Sequence, residues 1–225
     1  SRAADEVVQL YVHARRSRVQ RPLRELKDFR RIHLRPGESR PVEFQLPAAE
    51  LAFWDVTRER WAVERGEYDI RIGASAQDIR LRGVVRIEGE EIPPRDLFRP
   101  TRAENFDDCE TIRLADESKL RRNAVAGEAG GWIAFREADF GSGAARFRMR
   151  AANGGGAPAR LEVRLDRPDG PLAARADVPA TESRYDYRET ETAAAAAGVR
   201  DVFLVFRGGM RISGFQFFRQ EFSKA

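Results

Sequence analysis

A chain of 225 residues, 42% hydrophobic and 34% charged, can bury two cores of ordinary size, and none of its apolar runs approaches the ~18 residues of a membrane-spanning helix. A net charge of +4 and a pI near 9.6 invite a nucleic-acid reading, but residues 1–99 carry 20 basic and 17 acidic side chains and residues 100–225 carry 20 and 19. Opposite charges alternate locally, and phosphate binding needs concentrated positive charge, so neither nucleic acid nor membrane is expected as a partner.

In chain order, "EVVQLYVH" (6–13), "RPVEFQL" (40–46), "EYDIRIG" (67–73) and "IRLRGVVRIE" (79–88) alternate apolar and polar residues at period two, as half-buried strands do. Turn signals separate them: "RPGES" (35–39), in which Pro36 fixes φ and Gly37 can take positive φ, then "ERGE" (64–67) and "GAS" (73–75). Trp54, Trp61, Phe44 and Phe53 are expected to anchor the core of this half, with an exposed sugar platform at Trp54 and Trp61 as the lesser alternative. "GEEIPPRDLFRPT" (89–101) reads as a stiff linker, because adjacent prolines cannot sit in a central strand. "ARFRMRA" (145–151), "ARLEVRLD" (159–166), "VRDVFLVF" (199–206) and "MRISGFQFF" (210–218) then resume the strand pattern. "TAAAAAG" (192–198) reads as a helical turn or a loop. The whole predicts an all-β chain of two β-sandwiches, with domains at 1–88 and 100–225 and a linker at 89–99.

Candidate chemistry is sparse. Cys109 is the single cysteine, which excludes an intrachain disulfide; it is expected to be a small buried hydrophobe, and nothing pairs it with His13 or His33. "RAENFDDCE" (102–110) crowds four carboxylates around Phe106. A glycosidase pair needs opposed carboxylates across a substrate, so Asp107, Asp108 and Glu110 read as solvated turn residues. No G-x-S-x-G, H-E-x-x-H, P-loop or paired cysteine motif occurs. No signal-peptide pattern is visible, and the absence of an initiating Met suggests a trimmed or excerpted product.

"EVVQLYV", "RPLRELKDFRRIHLRPGESRPVEFQL" and "LAFWDVTRERWAVERGEYDIRIGASAQDIRL" together resemble the fibronectin type III-like domain that closes many family 3 glycoside hydrolases, an immunoglobulin-like sandwich. That resemblance implies about two strands before "EVVQLYV"; without them the sheet would have an open edge, to be filled by a preceding segment or a separate fragment. It also implies that the nucleophile and acid/base lie in domains ahead of this one, so no catalytic residue is assigned here.

"TRAENFDD", "GGWIAFREADFGSGAARFRMRAA", "ARLEVRLDRPDGPLAARADVPAT" and "VRDVFLVFRGGMRISGFQFF" resemble a family 6 carbohydrate-binding module, a jelly roll with a structural calcium and one or two sugar clefts. The resemblance places Glu104 at a remnant calcium position. Arg102 and Ser213 stand where further ligands are expected, and since an arginine offers no oxygen, Arg102 is expected to replace the ion. No cofactor is expected, and calcium is doubtful. The family's stacking aromatics map near Ala126 and Arg184 and its cleft asparagine maps to Arg211, so the neutral-sugar sandwich is expected to be missing. Arg184 and Arg211 with Tyr185 or Tyr187 then either accept an acidic glycan or are surface residues. Trp132 is expected in the core.

Together the resemblances imply a non-catalytic accessory portion of a family 3 glycosidase of β-glucosidase or β-xylosidase type. Its partners would be the catalytic domains and a polysaccharide, and its site would be secreted or periplasmic. The alternative is a free-standing, lectin-like glycan-binding protein.

Overall fold

Alternation at period two places one face of a strand against a core and leaves the other in water. In the computed structural model, which describes residues 2–118 and 122–220, this pattern builds two units, Ser1–Pro93 and Pro94–Ala225.

The first unit contains β1 (Ala4–Ala14), β2 (Glu25–Leu34), β3 (Phe53–Asp55), β4 (Arg60–Ala62), β5 (Gly66–Gly73) and β6 (Ile79–Ile87). Four of them form an antiparallel sheet in the order β2-β1-β5-β6, and β3 and β4 form a separate hairpin. Val12, Ala14, Leu51 and Tyr68 make the core, with Leu46, Val63, Ile70 and Ile87 packed against it. The Tyr68 hydroxyl donates to the Glu64 carbonyl at 2.9 Å, so this buried phenol keeps a partner. Gly37 takes φ of 78° in the turn after β2, where Glu38 N–H donates to the Arg35 carbonyl at 3.0 Å.

Two expectations for this unit change. Residues 40–46 alternate in exposure but form no ladder among the described residues. Their apolar members Val42, Phe44 and Leu46 instead line an open groove of about 370 Å³ with Leu10, Ile70 and Ile72. Trp54 and Trp61 are not core residues. They are 47% and 66% exposed, because Phe53, Asp55 and Ala62 take the inward positions of the short hairpin and Trp54, paired opposite Trp61, faces out.

The second unit runs β7 (Thr101–Arg102), β8 (Asp108–Asp116), β9 (Asn123–Asp139), β10 (Ala144–Ala152), β11 (Ala159–Leu165), β12 (Leu172–Val178), β13 (Arg188–Ala196), β14 (Val199–Phe206) and β15 (Met210–Phe218). Their spatial order is β7-β15-β10-β13-β12-β11-β14-β9-β8, and β15 also pairs with β9, which closes the sandwich into a jelly roll. Phe135, Phe140, Phe147, Phe206, Phe215 and Phe217 fill the interior with Leu161, Leu204 and Ile133. Phe135 meets Phe215 edge to face at 4.8 Å, and Phe140 meets Phe217 likewise at 4.9 Å.

Here too the structure departs from the sequence reading. Residues 192–196 are neither helical turn nor loop but the end of β13, paired with β10 from Ala151↔Arg188 to Ala144↔Ala196. Tertiary pairing overrides the weak preference of a five-alanine run. The linker is also shorter than 89–99. The units divide at Pro93/Pro94, Leu97 is wholly buried in the second core, and Arg95 hydrogen-bonds through its backbone to Glu137 and Asp139.

Candidate functional site

Three neighbouring strands place three side chains in one row. Ala126 on β9 lies opposite Arg113 on β8 and, on its other side, opposite Arg211 on β15. Directly opposed residues of antiparallel strands project to the same face with Cβ atoms about 5 Å apart. The row therefore holds two guanidinium groups on either side of a methyl, and all three residues line one cleft of about 360 Å³. Its floor is made of small residues, among them Ala126, Ala152, Gly154, Gly155, Gly208 and Gly209.

The rim is held by Asn153, which is 1% exposed. Its side-chain amide donates to the Ala157 carbonyl at 2.6 Å and accepts from Gly155 N–H at 3.1 Å, while its backbone N–H donates to Thr181 Oγ1 at 3.0 Å. The two loops that flank the cleft are thereby tied together. A Cβ on Gly154 would lie 2.6 Å from the Arg184 nitrogen, so this glycine is what lets Arg184 approach.

Arg184 and Arg211 also meet at Tyr185. Their Cζ atoms lie 5.3 and 5.2 Å from the centre of its ring, so the π-system is engaged by cations. Arg211 further donates to the Asp116 carbonyl at 3.1 Å. Tyr187 is more buried and adjoins the group through Arg211: its ring lies 5.0 Å from the Arg150 guanidinium, and burial pushes its phenol pKa up against the opposing pull of the nearby Arg211. Of the four binding candidates the structure brings Arg184, Tyr185 and Arg211 together around one ring, with Tyr187 reaching the group through Arg211. It adds Arg113, which only the register of β8 on β9 places opposite Ala126 and which no sequence signal marks.

The charges of this cleft are distinctive. In the same unit Arg136, Arg160, Arg188 and Arg200 each contact a carboxylate. Among the described residues, no aspartate or glutamate lies within ion-pair distance of Arg113, Arg184 or Arg211, and Glu128 is the one acid on the cleft wall.

The carboxylate-rich stretch at 102–110 proves structural in detail. Arg102 lies 3.5 Å from Glu104 and closer, at 3.0 Å, to Glu117. Burial opposes ionisation of Glu117, but Arg102 and Arg150 outweigh it and hold its pKa below the usual range. These donors do not fit a calcium ion. Calcium takes six to eight oxygens, whereas here the Arg102 guanidinium, which offers none, lies against both Glu104 and Glu117 and puts a positive charge between them.

Asp107 is not a solvated turn residue: it accepts from Arg95 at 2.6 Å and from Arg136 N–H at 2.7 Å, both in near-complete burial for the ion pair. Asp108 pairs with Arg136 at 3.0 Å, and Glu110 accepts the Trp132 indole N–H at 2.8 Å. Trp132 packs on Phe203 outside the main core, because Ile133 takes the inward position beside it. Cys109 is exposed rather than buried, and partial burial of its thiol, then the nearby Asp108 charge, push its pKa up. That makes it a poor nucleophile.

Comparison with known proteins agrees with this architecture. The family described as "Fibronectin type III-like domain" matches residues 6–76, and "Carbohydrate binding module (family 6)" matches residues 102–219. Thermostable beta-glucosidase B of Acetivibrio thermocellus is 44% identical over 85 residues, which cover 38% of this chain and 11% of that protein. Probable beta-glucosidase H of Neosartorya fischeri is 38% identical over 86 residues, covering 38% and 10%. The chain thus spans about a tenth of the length of the curated relatives it matches. Among solved structures, CsCBM6-3 of Clostridium stercorarium, in complex with cellobiose, superposes with a TM-score of 0.53 at 27% identity, over 56% of this chain and 98% of that one. With more than half of its residues matched by that family, the chain belongs to the family 6 carbohydrate-binding modules, carried behind a fibronectin type III-like domain.

Proposed function

We propose that this chain is the non-catalytic accessory portion of a family 3 glycoside hydrolase of β-glucosidase or β-xylosidase type. In this reading the first unit braces the catalytic domains and the second holds the enzyme on a polysaccharide. The observation that carries the reading is the order of the parts, a fibronectin type III-like domain related to those of β-glucosidases followed in the same chain by a carbohydrate-binding module. The surface of the first unit supports it. Leu81 and Val85 on β6 are exposed on the sheet face that carries Leu10, Ile70 and Ile72, and Val85 lines the open apolar groove of about 370 Å³ there. Apolar area of this kind marks a protein contact, and the catalytic domains are its occupant here.

The carboxylates support a non-catalytic role. Those that lie near one another, such as Asp107 and Asp108, are tied to arginines rather than opposed across a cleft. Such a portion works where polysaccharide is found, outside the cytoplasm. The test mixes the chain with a family 3 catalytic portion. The chain alone should turn over no aryl β-glucoside, should raise the thermal midpoint of the catalytic portion, and should be retarded in a gel containing polysaccharide. Glycan binding without any effect on the catalytic portion would favour a free-standing lectin-like protein.

A further inference from the structure

We infer that the cleft at Arg113, Arg184 and Arg211 takes an acidic glycan, a polysaccharide whose sugars carry carboxylate or sulfate groups, rather than a neutral one. This rests on the reading of the second unit as a glycan-binding module and specifies its ligand.

Three features point the same way. First, Arg113 on β8 and Arg211 on β15 flank Ala126 of the strand between them, so two cations stand on one face, two strands apart. A protein that neutralises Arg136, Arg160 and Arg200 with its own carboxylates leaves these two without one among the described residues. An anionic ligand group completes the row, and the planar fork of arginine receives a carboxylate or sulfate through paired hydrogen bonds.

Second, the floor holds no ring on which a neutral sugar could stack. Ala126, Ala152 and Gly154 line it, and the nearby Tyr185 already meets the guanidinium groups of Arg184 and Arg211 at 5.3 and 5.2 Å.

Third, the cations are prearranged. Arg211 is fixed by the Asp116 carbonyl at 3.1 Å, and Arg184 sits on a loop pinned through Asn153 and Thr181. For Arg211 part of the side-chain freedom is therefore already lost before binding. Glu128, on the cleft wall, is left to accept hydrogen bonds from sugar hydroxyls beside the charged group.

The test runs the full chain in affinity gels and by calorimetry at about 0.15 M salt, where long-range charge is screened beyond about 8 Å. The probes are polygalacturonate, carrageenan, xylan, β-1,4-glucan and duplex DNA. Retardation by polygalacturonate or carrageenan but not by DNA is expected, and the stronger of the two identifies carboxylate or sulfate as the group recognised. Arg113→Gln and Arg211→Gln should each weaken it about tenfold, roughly the loss of one charge-assisted contact, with an unchanged circular dichroism spectrum. Arg211→Lys should recover only part. Retardation by xylan or glucan alone would overturn the inference and leave the glycan-binding reading standing. Equal retardation by DNA, or variants that bind like the parent, would reduce the cleft to unspecific basic surface. No retardation by any polysaccharide would remove both.

Discussion

The Arg95 guanidinium donates to the Asp107 carboxylate at 2.6 Å, and their side chains are only 3% and 7% exposed. The pair joins the chain just after Pro94 to the start of β8, and Arg95 also lies 5.4 Å from the Phe135 ring centre. Removing one partner strands a buried charge. Asp107→Ala should therefore cost about 3–5 kcal/mol, whereas the double replacement Arg95→Met/Asp107→Leu should recover only part of that, because the Arg136 N–H still loses its acceptor. Urea unfolding of the full chain reads both. Equal losses in the single and double variants would show that the pair does not act as a unit.

Acid should weaken the second unit through Glu162. Burial opposes its ionisation, but Arg164 at 2.8 Å and Arg207 at 3.1 Å outweigh that and hold its pKa below the ordinary 4.5. Between its folded and unfolded pKa values the unfolded chain binds more protons, so stability rises with pH. The contribution is fully present above the ordinary value of 4.5 and disappears as pH falls through it towards the folded value. Glu162→Gln should flatten the acid limb of the thermal-midpoint profile. Superimposable profiles for variant and parent would assign the acid loss elsewhere.

Trp61 should matter little to stability despite its size. It is 66% exposed and meets Trp54 edge to face at 5.7 Å, a contact of about 1 kcal/mol. Trp61→Ala should cost about that much, while Tyr68→Ala, which empties a core position at 2% exposure, should cost about 3–5 kcal/mol. Comparable losses in urea unfolding would place Trp61 under packing pressure after all.

Gly127 supports the cleft from below. It neighbours Ala126, and a Cβ there would stand 2.5 Å from the wholly buried Phe206 ring. Gly127→Ala should destabilise by about 1–3 kcal/mol through overpacking. Phe206→Leu in the same chain should relieve part of that loss; a purely additive double variant would exclude the clash as its cause.

Period-two alternation records which face of a strand is buried, and β15 follows it apart from one break at Ile212 and Ser213, whereas β14, buried along its last five residues, is legible only as an apolar run. What escaped lacked that record. The alanines of β13 are nearly featureless, and only the ladder to β10 makes them a strand. In β3 and β4 three residues are too few to tell in from out, so the tryptophans were assigned to the wrong face. Asp107 looks like any turn carboxylate until Arg95, twelve positions earlier, is folded onto it. The cleft was half legible: the substitution of ring-bearing positions by Ala126, Arg184 and Arg211 could be read from order alone. The place of Arg113 depended on register, which spacing does not reveal.

β9 is one strand of 17 residues with two sets of neighbours. Its first part, at Val125–Gly127, lies between β8 and β15, and its later part, from Trp132, lies between β8 and β14. The turnover between them passes Gly130 at φ of 93° and Gly131, whose missing side chain leaves room for the Thr111 carbonyl. The two layers are thus continuous through a single backbone, and neither can peel from the other without tearing the ladders of β9. Amides at both ends of the strand should consequently exchange with deuterium at one common opening rate, so that a pull on the cleft is resisted by the sandwich as a whole.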